Sequence, residues 1–151
     1  MDISNLHNNQ FLVGSRAFFN NYEDFISHDT DILEFDDSLK ETWTANTKDN
    51  ITIIKWKYSN ANNIIDCLLD CPIITLKCGM LLTPKVIEYT KMTFDKLPQL
   101  KPLIDKLDDK HKYIEVIYNA YLENGKFELT KEQLDSAYEE YKRERPNVYN
   151  K

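Results

Sequence analysis

The sequence predicts an α+β fold: a small mixed sheet with flanking helices, followed by a C-terminal helical region. Three observations carry this. Apolar and β-branched runs of strand length, at Phe11-Leu12-Val13, Thr30 to Phe35 and Ile51 to Tyr58, all lie in the first half. From Thr83 onward apolar residues recur at helical spacing between helix start and stop signals. The two patterns follow one another instead of alternating as βαβ units. At 151 residues the chain can bury a core. The division expected is an α/β core over 1–80 with a helical region, 81–151, packed on it, or one compact domain.

Taken in order, Phe11-Leu12-Val13 is a strand ended by Gly14. Arg16 to about Tyr22 follows as a helix packing Ala17, Phe18 and Phe19, closed by Asn20 and Asn21. Thr30 to Phe35 is the second strand, and Asp36-Asp37-Ser38 a turn. Lys48-Asp49-Asn50 is another turn, leading into the strand Ile51 to Tyr58, which is expected to pair antiparallel with Thr30 to Phe35. Asn60 or Asn62 caps a short helix with Ile64, Ile65, Leu68 and Leu69 on its apolar side, stopped by Pro72. Ile73 to Met80 reads equally as a strand or the start of a buried helix.

In the second half, Thr83 caps a helix with Pro84 at its first position, burying Val86, Ile87, Tyr89, Thr90 and Phe94. A Pro-containing elbow spans Leu97 to Pro102. A helix from about Asp108 to Glu123 turns Ile114, Ile117, Ala120 and Tyr121 inward and stops at Asn124-Gly125. Thr130-Lys131-Glu132-Gln133 is a capping box for a last helix carrying Leu134, Tyr138 and Tyr141. The tail from Pro146 is expected to fray. Tyr113, Tyr118, Tyr121, Tyr138 and Tyr141 read as packing residues.

Apolar residues make up 42% and aromatics 12%, as in a globular chain. No run approaches the roughly eighteen apolar residues that cross a membrane. Met-Asp-Ile-Ser-Asn at the start is unlike a secretory signal. Cys67, Cys71 and Cys78 are odd in number and lack zinc-knuckle spacing, so they read as buried free thiols in a reducing cytoplasm. The net charge of −6 is uneven: residues 1–80 hold 6 basic and 12 acidic side chains, and 81–151 hold 13 of each. A basic face for duplex nucleic acid is therefore not expected. An acidic pocket that recruits a divalent cation is.

That pocket has a place in the sequence. A strand runs into Gly14-Ser15, and thirteen residues then separate Ser15 from Asp29-Thr30-Asp31. Two carboxylates two apart on a strand share a face. A Gly-Ser turn before a helix offers backbone N–H groups to an anion. Together they can hold a metal ion and a polyphosphate in one place.

With its strand contexts, the ordered pair Gly14-Ser15-Arg16-Ala17 and Asp29-Thr30-Asp31-Ile32-Leu33 resembles the signature of the DNA polymerase beta-like nucleotidyltransferase superfamily. The Gly-Ser-Arg-Ala form is similar to small nucleotidyltransferases of bacteria and their phages. Asn60 to Asp66 and Leu76-Lys77 resemble, more loosely, later segments of those proteins. The resemblance implies that Asp29 and Asp31 bind Mg²⁺ or Mn²⁺ and serve catalysis. It implies that Gly14, Ser15, Arg16 and Lys77 hold an NTP, and that the acceptor of the nucleotidyl group is a protein, an RNA or a small molecule. Arg16 pairs with a phosphate or braces an Asp. Lys77 contacts phosphates or snorkels to water, and His28 is a solvated loop residue or a phosphate contact.

Active members of that superfamily usually carry a third carboxylate on the strand after Asp-x-Asp. Ile51 to Tyr58 holds no acid and presents Lys55 and Lys57, which would compete with a metal, while Asp49 and Asp66 flank it. The readings that follow are a metal-dependent nucleotidyltransferase, a catalytically impaired module of the same type that binds a nucleotide or a protein, and a small helical interaction protein.

Overall fold

The computed structural model describes residues 5–26, 29–69 and 79–149. A four-stranded mixed sheet is built from β1 (Gln10–Val13), β2 (Thr30–Phe35), β3 (Trp43–Lys48) and β4 (Ile51–Trp56) in the order β1-β2-β4-β3. Helices flank it: α1 (Ser15–Phe19), α2 (Ala61–Leu69), α3 (Pro84–Thr90), α4 (Lys101–Ile104), α5 (Lys112–Asn124), α6 (Lys131–Arg143) and α7 (Pro146–Tyr149). A 3-10 stretch, Phe94–Leu100, leads into α4 and replaces the expected elbow.

The expected antiparallel pairing of Thr30–Phe35 with the following strand is corrected. Between them the chain forms β3, which pairs antiparallel with β4 at the sheet edge. Asp49 and Asn50 turn this hairpin with φ of 54° and 65°, both in the left-handed region that two-residue hairpin turns require. β4 then returns beside β2, so β2 and β4 run parallel. The sequence conceals β3 because Trp-Thr-Ala-Asn-Thr-Lys, an edge strand exposed along most of its length, has almost no apolar alternation.

Register fixes the two faces of the sheet. Asp31, Leu33 and Phe35 align with Val13 and Phe11 on one side and with Thr52, Ile54 and Trp56 on the other. This face carries the core, where Val13, Leu33, Phe35, Ile54 and Trp56 are buried. The opposite face is polar around Glu34, which accepts from Gln10 Nε2 at 2.7 Å and lies 3.4 Å from Lys55 Nζ.

Some helix ends follow their signals, whereas Thr83 precedes α3 without a side-chain cap, α3 ends at Thr90 short of Phe94, and α5 starts at Lys112 and not near Asp108. Asn60 Oδ1 accepts the Asn62 N–H at 2.9 Å at the start of α2. Gly125 ends α5 in the left-handed conformation. Thr130 and Gln133 form the reciprocal capping box that opens α6. Three further expectations are corrected. Leu69 and Tyr89 are 40% exposed, the latter stacked on Phe35 at 4.9 Å. α1 ends at Phe19, short of Tyr22. Residues 146–149 form α7 instead of fraying. One buried cluster runs from Val13, Phe19 and Leu33 through Ile64 and Ile65 to Tyr113, Ile117, Tyr138 and Tyr141, uniting sheet and C-terminal helices.

Candidate functional site

The Gly-Ser turn and the Asp pair meet because β1 pairs antiparallel with β2. Val13 is registered on Asp31, so the residue after β1 emerges beside the Asp31 carboxylate. That residue is Gly14, with φ of 77°. A Cβ added there would stand 2.9 Å from Asp31 Oδ2. Both the backbone angle and the space therefore call for glycine. Ser15 opens α1, and its Oγ accepts a hydrogen bond from the Tyr141 hydroxyl at 3.3 Å.

Asp29 is exposed and immediately precedes β2. The chain is fixed just after it, where the Thr30 N–H donates to Asn50 O at 2.8 Å. Asp31 is half-buried. Burial first, and the charge of Asp29 second, push its carboxyl up to about 6. A half-buried carboxylate with a second carboxylate beside it suits a hard cation, which neutralises both.

Lys55 and Lys57 do not stand where the sequence suggested. Lys55 is registered on Glu34, and its ammonium lies 3.4 Å from Glu34 and 4.0 Å from Asp36 on the face opposite Asp31. Lys57 lies beyond the end of β4, with its ammonium 6.0 Å from the Tyr58 ring. The neighbour of Asp31 on β4 is Thr52, whose hydroxyl is 2.8 Å from that of Thr47. Asp49 sits in the hairpin turn and Asp66 on the exposed side of α2. Among the described residues, no three His, Cys, Asp or Glu side chains gather where a metal ion would bind them together.

Arg16 is placed over the Phe25 ring, 5.9 Å from its centroid, with Nη1 3.5 Å from Asn20 Oδ1. His28 and Lys77 lie outside the described residues, as do Cys71 and Cys78.

The C-terminal half contributes groups that the sequence did not single out for the site. Tyr141 reaches Ser15, and Arg145 lies 3.9 Å above the Tyr141 ring. Glu144 has a buried side chain whose Oε1 accepts the Tyr113 N–H at 3.0 Å, and whose Oε2 is 3.3 Å from Arg145 Nη1. Burial, then the charge of Glu140, raises its carboxyl to about 7. The only sequence signal for these residues was the tyrosine spacing, which reads as packing. Comparison with protein-family models, curated proteins and solved structures finds no match for this chain.

Proposed function

We propose that the chain is a metal-dependent nucleotidyltransferase that moves a nucleoside monophosphate from an NTP to an acceptor hydroxyl or similar group. The observation that carries this reading is the packing of the Gly14 turn against the Asp31 carboxylate, 2.9 Å from a Cβ built at Gly14. It sets the Gly14-Ser15 turn, which we read as the phosphate cradle, beside one carboxylate of the Asp29/Asp31 pair across thirteen intervening residues.

Asp29 and Asp31 fit Mg²⁺ or Mn²⁺, since such ions take one or two carboxylates and fill their remaining positions with water and phosphate oxygens. Bound there, the ion would offset charge on the triphosphate during in-line displacement. Ser15 and the N–H groups after Gly14 would hold the polyphosphate, with Arg16 close by. Asp31 must be ionised to serve, so its raised carboxyl ties binding to pH. The barrier reduction would come from positioning and charge neutralisation.

One observation favours the second reading, a nucleotide-binding module with impaired chemistry. Thr52 stands beside Asp31, and neither strand that follows β2 contains an acid.

The test is incubation with Mg²⁺ or Mn²⁺ and each labelled NTP, with candidate acceptors. Label transfer lost in Asp29→Ala and Asp31→Ala supports the enzyme. Metal-dependent nucleotide binding without transfer supports the impaired module, and Thr52→Asp should then strengthen metal binding. Neither transfer nor metal-dependent binding under any condition sinks both readings.

A further inference from the structure

Residues 20–26 lead from α1 toward Asp29, and none of them lies in a helix or strand. The C-terminal helices hold this segment from far along the chain. Tyr138 donates its hydroxyl to Asp24 Oδ1 at 2.7 Å, and Lys142 Nζ lies 3.5 Å from Asp24 Oδ2. Tyr22 donates to Asp135 Oδ1 at 2.5 Å, with its ring stacked on Tyr138 at 4.1 Å. The Tyr149 hydroxyl accepts the Ile26 N–H at 3.0 Å and donates to Ile26 O at 3.1 Å. Phe25 packs on Tyr141 at 5.9 Å.

These ties bear on the metal site because Asp29 is outside the β2 ladder. On its C-terminal side the Thr30 N–H anchors it to Asn50. On its N-terminal side, α6 and α7 tie residues 22–26 through Tyr138, Lys142 and Tyr149, in addition to the packing of Phe25 against Phe19 and Arg16 of α1. A carboxylate on an unheld segment must be ordered when it binds, and that lost freedom is subtracted from affinity.

We propose that α6 and α7 act as a positioning clamp: by holding residues 20–26 they set how tightly Asp29 and Asp31 bind a divalent cation. Tyr138 and Tyr149 are positioning residues in this scheme. The inference rests on the metal role proposed above.

The experiment titrates Mn²⁺ onto the full chain, followed by electron paramagnetic resonance, alongside hydrogen exchange of the metal-free protein. Tyr149→Phe keeps the ring packing on Tyr138 and Tyr141 and loses only the hydroxyl. It should weaken Mn²⁺ binding roughly fivefold and speed exchange in residues 20–26. Tyr121→Phe is the control, since its hydroxyl donates instead to Leu82 O at 3.0 Å. It should lower thermal stability and leave Mn²⁺ affinity unchanged. Wild-type affinity in Tyr149→Phe, unchanged exchange, or equal weakening in Tyr121→Phe would overturn the clamp. Failure of the wild type itself to bind Mn²⁺ overturns the metal reading and the clamp with it.

Discussion

At Asp31 the metal role proposed above and the stability of the chain pull in opposite directions. Its carboxyl sits near 6, above the ordinary 3.8, because the folded protein partly buries it beside Asp29. A raised carboxyl favours the folded state while protonated. Its contribution is complete below about pH 4 and is lost as pH rises through about 6. Asp31→Asn keeps the shape and removes the charge. Urea titrations should find the variant more stable than wild type at pH 8 by roughly 1–3 kcal/mol, with the gap closing below about pH 4. Mn²⁺ binding by the wild type should decline as pH falls through about 6, and should be absent in the variant. The Gly14-Ser15 turn and the Asp29/Asp31 pair were legible in the sequence, because alternation along one strand is a local property. The position of Lys55 away from Asp31 was not. Whether it faces Asp31 depends on the register between two strands, and register places it on Glu34.

Two helix termini were legible, the capping box at Thr130 and the stop at Gly125. A cap involves residues three or four apart, so its chemistry is written in one short stretch. Thr130 shows this: its side chain accepts the Gln133 N–H at 3.1 Å, while Gln133 Oε1 accepts the Thr130 N–H at 3.0 Å. Thr130→Ala should cost about 1 kcal/mol, read as a lowered thermal midpoint with metal binding unchanged. The start of α5 was not legible in the same way. It is capped from a distance by Glu144 on the Tyr113 N–H, which no local pattern announces. β3 escaped for a related reason. A polar strand at a sheet edge is held by its ladder to β4 rather than by a buried face, so the hydrophobic pattern that reveals strands is missing.

In the whole molecule, Phe19 joins the two halves. It is fully buried, with its ring 5.6 Å from Tyr113, 5.2 Å from Tyr138 and 5.1 Å from Tyr141. Phe19→Ala should cost about 3–5 kcal/mol. Because one cluster spans sheet and helices, unfolding should be a single transition. The fluorescence of Trp43 and Trp56, the two tryptophans, both in the sheet, should change together with helical circular dichroism. Two separated transitions would show instead that the halves unfold independently. By itself the sequence determined three of the four strands, the Thr130 capping box and the Gly125 stop, and the ordered Gly-Ser and Asp-x-Asp elements, all of which depend on neighbours a few residues apart. Only the tertiary structure decided that β2 and β4 run parallel, that Thr52 stands next to Asp31, that Lys55 lies on the other face, and that the last two helices hold the segment leading to Asp29. Those outcomes depend on which distant segments pair and in what register. That choice is made by burying one shared core, and no local pattern encodes it.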